Sequence, residues 1–277
     1  MTATGDLRTT DDAEFWDKLH QAMGEDGLLT YRYLGRVSEE MHGVQSSYMK
    51  IRRDMRDAHG GIRAGALAIA TAETGFTDFN SVPAPVSAGL TIVDPGKDVA
   101  RVAMRKDVLK VGRTLGFSRT TVTDWDNPDR VIALTRGIGI KLGDAPAEGG
   151  KPFPLPEDIA DRDDLPPLIE VFGGWKGDDG HWRLPALAAH SRSTSGTLHL
   201  GPMHLVFDAA ADELAAASGL RVADWEVLFV AAGTNGPFRV DVTPIPASGP
   251  ARAAEFRLMD EGRGDRLVAS ASASFGA

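Results

Sequence analysis

The chain has 277 residues, 42% hydrophobic and 25% charged, close to the globular average and long enough to bury sizeable cores, which excludes a disordered or fibrous class. Its 39 acidic residues against 30 basic ones give a formal charge of −9, which opposes attraction to phosphate backbones and anionic lipid and makes nucleic acid and membrane surfaces poor partners. There is no cysteine, which excludes disulfides, thiolate zinc sites and a cysteine nucleophile; with no apolar signal core in MTATGDLRTTDD and no run near the roughly 20 residues of a bilayer span, a soluble cytoplasmic protein is expected.

From the N-terminus, residues Asp12 to Met23 place Phe15, Trp16, Leu19 and Met23 on one face of a short amphipathic helix. Residues 60–74 put Ile62, Ala66, Ile69 and Glu73 at helical spacing in an alanine-rich stretch, which predicts a buried, closely packed helix with Gly75 as its stop. From Ala88 to Leu142 the pattern turns to strands. It runs through GLTIVDPG, a hairpin-like DPGKD, VARVAMRKDVL and GRTLGFSRTTVTDWDNPDRVIALTRGIGI, as in an antiparallel meander.

The stretch from Gly143 to Pro167 carries six prolines and has linker composition. Beyond it the plan repeats. Pro202 suits a first helical turn, Met203, Phe207, Ala210 and Leu214 share a face, and Gly219 ends the helix. Strands are predicted at Trp225–Ala232, Phe238–Thr243, Ala251–Met259 and Leu267–Phe275.

The repetition reaches individual residues. Ala58-His59-Gly60-Gly61 is matched by Leu198-His199-Leu200-Gly201 at an offset of 140, with Glu73 and Glu213 each 14 residues past the histidine. Thr123-Asp124 with Arg130-Val131-Ile132-Ala133 is matched by Met259-Asp260 with Arg266-Leu267-Val268-Ala269 at an offset of 136. On this alignment small loop changes account for the four-residue drift. A unit this long is a whole small domain rather than a solenoid repeat. The expectation is an α+β chain with one domain over residues 1–145, a proline-rich linker over 146–164 and a second domain over 165–277. Residues 20–145 and 165–277 should be equivalent, with their sheets joined edge to edge.

A buried helix opened by His59-Gly60-Gly61 and followed by an antiparallel sheet containing Gly112-Arg113 resembles the hotdog-fold acyl-CoA thioesterases of the phenylacetate-pathway type. The resemblance covers nearly the whole chain as a fused double hotdog. It implies hydrolysis of an acyl-CoA or acyl-carrier thioester, with coenzyme A only as part of the substrate, no other cofactor and no metal. It also implies a site shared between two hotdog units, in which backbone N–H groups at one helix start polarise the carbonyl and a carboxylate from the other helix acts as base or nucleophile.

The family's carboxylate lies nine residues after the motif histidine. That position is Asp208 in the second half and Ala68 in the first, while Leu200 replaces the first glycine in the second half. The resemblance therefore implies one complete composite site, with Asp208 opposite His59, Gly60 and Gly61 and the Gly61 N–H as oxyanion donor. A degenerate partner site would lie around His199 and Gly201, with Gly112 and Arg113 as contacts to coenzyme A. An amide expected before the histidine is absent, with Arg53 and Ser193 in its place; the run His190 to Ser195 is either its substitute or a loop.

Each residue also has a plainer reading. Asp208 and Asp212 share a helical side and suit a solvated face; His59 and His199 suit helix caps; His204 suits a packed core histidine; Gly112 suits a bulge and Arg113 a surface charge. A hotdog dehydratase or hydratase, using His59 in proton transfer, and a noncatalytic acyl-CoA-binding protein are the competing functions. Further assembly of the fused pair into a homo-oligomer is compatible with all three.

Overall fold

The computed structural model describes residues 6–24, 27–71, 81–147, 150–247 and 249–276. Chain order runs α1 (Asp12–Met23), α2 (Leu29–Leu34), β1 (Arg36–Val37), α3 (Glu39–His42), β2 (Ser47–Lys50), α4 (Ala64–Ala70), β3 (Ser81–Ile92), β4 (Arg101–Val111), β5 (Leu115–Asp124) and β6 (Val131–Asp144). It continues with α5 (Leu168–Val171), β7 (Trp175–Lys176), β8 (Trp182–Leu184), α6 (Leu200–Ala216), β9 (Arg221–Phe229), β10 (Phe238–Ala247), β11 (Gly249–Asp260) and β12 (Arg266–Gly276).

The twelve strands among the described residues form one antiparallel sheet in the order β1-β2-β4-β5-β6-β3-β9-β12-β11-β10-β8-β7. Read inward from either edge, the two halves have the same order. They join where β3 meets β9, with Gly89 opposite Glu226 and Leu90 opposite Trp225, so the expected edge-to-edge union of two sheets is what forms. Like surfaces meeting in antiparallel register is the pattern of an isologous contact, here within one chain.

The two buried helices pack on each other beneath this sheet. Every residue of α4, with sequence AGALAIA, is buried, and small side chains are what let a second helix approach it closely. Helix α6 presents Phe207 to Trp225 and Phe256 in edge-on contacts with centroids 6.3 Å apart, the offset geometry that aromatic quadrupoles favour. Helix α1 spans the expected residues and buries Phe15, Leu19 and Met23. It packs with Met41, Val82 and Phe153 in a separate cluster.

Three local expectations change. The DPGKD segment is not a hairpin: β3 pairs with β6 and β9, and β4 with β2 and β5, so residues 93–100 cross between nonadjacent strands. Strand β3 begins at Ser81, seven residues before the apolar pattern does. Pro83 and Pro85 hid it, and they are accommodated where its pairing with β6 shifts register, between Val82 and Pro83 and between Pro85 and Ser87. The predicted helix over 60–74 is helical from Ala64 to Ala70, while Glu73 and Gly75 lie outside the described residues.

The offset between halves is 136 at the helix starts as well as in the strands. The Arg63 N–H donates to Met55 O and the His199 N–H to Ser191 O; Gly60 N–H donates to Asp57 O and Gly196 N–H to Ser193 O. Bridges Arg56–Ile62 and Arg192–Leu198 repeat the same frame, and Gly60 and Gly196 share φ near +80°, at 81° and 78°. His59 and His199 are thus not counterparts. Arg63 corresponds to His199, Gly65 to Gly201, and Ala68 to His204. The shared His and Gly letters at an offset of 140 are a coincidence one helical turn out of register, and the four-residue drift disappears.

Candidate active site

Helix α4 starts after Arg63, whose side chain cannot accept a hydrogen bond, so the helix has no cap of its own. The acceptor comes from the other half. Asp208, on α6, takes the Gly65 N–H on Oδ1 at 2.9 Å, filling the role a capping carboxylate fills at the second helical position. Arg63 closes the arrangement, with Nη1 3.1 Å from Asp208 Oδ2 and Nη2 2.9 Å from Asp212 Oδ2. Its Nε donates to Arg56 O at 3.0 Å, which fixes the guanidinium from behind.

Asp208 is 3% exposed. Burial raises its pKa above the ordinary 3.8; Arg63 and the Gly65 N–H pull it down, and Asp212 adds to the rise. The dominant cause is loss of hydration, which penalises the charged form. Asp208 and Asp212 share one wall of a cleft of about 470 Å³ with Arg53, Arg63, Ile169 and Trp182. The solvated-face reading of this pair therefore fails at Asp208, which is buried and paired.

Of the other residues singled out from the sequence, Arg53, Asp212 and Glu213 line the same cleft as Asp208, while the His59-Gly60-Gly61 turn does not. His59 is exposed, and its backbone N–H, like that of Gly61, donates to Asp57 Oδ1, at 2.8 and 2.9 Å. The Gly61 N–H is therefore held by Asp57 and not by Asp208, whereas the N–H that meets the Asp208 carboxylate is elsewhere on the chain. The O atom of Gly60 accepts from Arg56 Nη1 at 2.9 Å, so this turn is a structural brace. The amide facing Asp208 is that of Gly65, two residues into the helix. The signal that would have found it is the 136 offset of the strands, carried back to the helix start.

At the α6 start His199 caps its own helix, with the Gly201 N–H donating to its Nδ1 at 3.1 Å. Thr30 Oγ1 lies 3.2 Å from the same nitrogen. Burial holds the His199 pKa down at about 4. His204 is fully buried; its Nδ1 accepts the Trp225 indole N–H at 3.2 Å, which makes it a packed core histidine. The run Ser193 to Thr197 is a turn closed by its own hydroxyls. Gly112 and Arg113 form the β4–β5 turn, where Gly112 N–H donates to Leu115 O at 2.8 Å. Leu115 pairs with Ile140, and Ile140 with Ala84, so this turn stands at the sheet end beside the α6 start and away from Asp208. Glu213 is a surface acceptor for Trp182 Nε1 and Lys176.

No family model and no curated protein matches the chain. Solved structures do. A 12:0-ACP thioesterase from Umbellularia californica aligns over 87% of this chain and 98% of its own at 12% identity and a TM-score of 0.52. An acyl-CoA thioesterase II from Mycobacterium marinum aligns over 89% and 96% at 15% identity and 0.52. A protein of unknown function with a hotdog fold from Alicyclobacillus acidocaldarius aligns over 90% and 98% at 10% identity and 0.55. The fold is that of two fused hotdog units. Among the described residues no helix is long and apolar enough to cross a membrane.

Proposed function

We propose that this protein hydrolyses acyl thioesters, borne by coenzyme A or a carrier protein, at the Asp208 site. The observation that carries the reading is the Asp208 carboxylate, buried at the wall of a 470 Å³ cleft and bound to the Gly65 N–H that belongs to the other half. The thioester carbonyl oxygen would replace Asp208 Oδ1 on that N–H. Negative charge developing on the oxygen is then met by a fixed donor.

Asp208 takes a proton from water as the water oxygen bonds to the carbonyl carbon. The C–S bond then breaks, and the thiol leaves with that proton; direct attack by the carboxylate, followed by hydrolysis of the anhydride, has the same balance. Arg63 is a positioning residue that holds the carboxylate and favours its charged form. The lining of the two clefts at Asp208 includes no histidine among the described residues, which disfavours a dehydratase that moves protons through one. The division into domains over 1–145 and 165–277 with a linker over 146–164 belongs to this reading, supported by the palindromic strand order.

Thiol release from a panel of acyl-CoA and acyl-carrier substrates of graded chain length tests it. Turnover that falls away in a folded Asp208→Asn protein is the expected result. Binding of acyl-CoA without thiol release from any member would establish the noncatalytic alternative instead.

A further inference from the structure

The face of the sheet turned away from α4 and α6 is uneven in charge. Along one register row the neighbours are Arg119 on β5, Arg136 on β6, Gly89 on β3, Glu226 on β9, Ser272 on β12 and Glu255 on β11. The residues beside them in the strands, among them Thr120, Leu90, Trp225 and Ala254, are buried, so by strand alternation the row points outward. Arg119, Arg136, Glu226 and Glu255 are exposed, and none of the four is hydrogen-bonded or ion-paired with another described residue.

This arrangement is unfavourable in a single copy. The two arginines stand directly opposite each other in the β5–β6 ladder, where like charges destabilise, and the two acids lie across the join between the halves. A Cβ on Gly89 would fall 2.6 Å from Arg136 Cζ, so the guanidinium lies over Gly89 at the middle of the face.

A second copy turned onto this face, about a two-fold axis running along the strands between β3 and β9, sets the first half of each copy on the second half of the other. Strand β5 then faces β11, β6 faces β12 and β3 faces β9. Arg119 meets Glu255, and Arg136, above Gly89, meets Glu226; symmetry makes each pair twice. The rows on either side bring no like charges together. In one, Phe117 meets Arg257, Ile138 meets Ser270, and Ser87 meets Leu228, which covers a leucine 50% exposed in one copy. In the other, Thr121 meets Ala253, Leu134 meets Ser274, and Thr91 meets Asp224. An axis across the strands would instead set arginine on arginine and glutamate on glutamate. Sheets packed face to face lie about 10 Å apart, a gap that arginine and glutamate side chains reaching from opposite sides can span.

We propose that the outer face of the sheet binds a second copy of this chain, in an isologous dimer held by Arg119 on Glu255 and Arg136 on Glu226. The charges select the partner and its orientation, which is the main use of electrostatic complementarity at an interface. This face lies on the opposite side of the sheet from α6 and Asp208, so the proposal is independent of thioester hydrolysis.

Sedimentation equilibrium of the full-length protein over a range of concentrations tests it. A dimer is expected at about 0.1 M salt, and association should weaken markedly at about 1 M, where the screening length falls from about 10 to about 3 Å. Glu255→Arg sets a cation against Arg119 and should weaken the dimer at least about tenfold, or about 1.4 kcal/mol. Arg119→Glu should do the same, by setting acid against acid. The two changes in one chain restore opposite charges and should recover the dimer. Circular dichroism checks each fold, and the same cycle at Arg136 and Glu226 takes its place if a variant does not fold. A monomer at every concentration, a dimer indifferent to both single changes, or a double variant no better than the singles overturns the proposal.

Discussion

Asp208 and Gly65 touch across the two halves of the chain: the carboxylate accepts the Gly65 N–H at 2.9 Å, and a Cβ built on Gly65 would lie 2.7 Å from Asp208 Cβ. Only glycine lets the helix start come this near to the acid.

Asp208→Asn retains an acceptor for the Gly65 N–H while removing the charge. Turnover is expected to drop by about 10²–10⁴, the usual contribution of a positioned base. Asp212→Asn, which touches only Arg63 in this group, should cost far less. Steady-state thiol release with circular dichroism on each variant checks the difference, and equal losses would remove Asp208 from the chemistry.

Gly65→Ala should lower turnover by about 10²–10³, as loss of one oxyanion donor does, because the added methyl displaces Asp208. Gly61→Ala meets Arg221 Nη1, Asp57 Oδ2 and Pro95 Cβ at 2.6, 3.0 and 3.2 Å, a crowding that does not involve Asp208, and should lower turnover far less than Gly65→Ala. The reverse ranking would restore Gly61 as the donor.

In the proposed mechanism the ionised Asp208 carboxylate acts as the base, and burial raises its pKa above 3.8. The rate should therefore increase with pH through a midpoint above the ordinary carboxylate value, and this limb should be absent from the residual rate of Asp208→Asn. A kcat/KM profile across the acidic range decides it.

Stability should fall as pH drops below 6.5. Burial holds His199 at about 4 and His204 at about 3, so the unfolded chain takes up protons first; the stabilisation is complete above 6.5 and is lost on the way down to the folded values. Asp208, with its raised pKa, acts in the opposite sense above 3.8. His204→Gln, which keeps an acceptor for the Trp225 indole, should flatten the dependence of Tm on pH between 6.5 and 4.

Gly201→Ala places its methyl 2.2 Å from Thr30 Oγ1 and should destabilise by about 1–3 kcal/mol, as overpacking does. Thr30→Ala in the same chain should recover part of the loss. Denaturant melts of both single variants and the double variant measure this coupling, and strict additivity would mean that the two residues do not meet.

Composition, periodicity and the internal repeat determined the architecture: two helices that are apolar on nearly every side must be buried, and strands that follow each of them in the same order must form like sheets. Asp208 was singled out only by the resemblance, as the carboxylate nine residues after His199. The register of the helix starts was not legible, because chance identity of His and Gly outweighed the strand offset, and only backbone hydrogen bonds show which residues stand at equivalent places. Nor could the chain alone say that Arg63 would lack a capping oxygen and Asp208 would supply it, since those residues are 145 positions apart and meet only when β3 and β9 join.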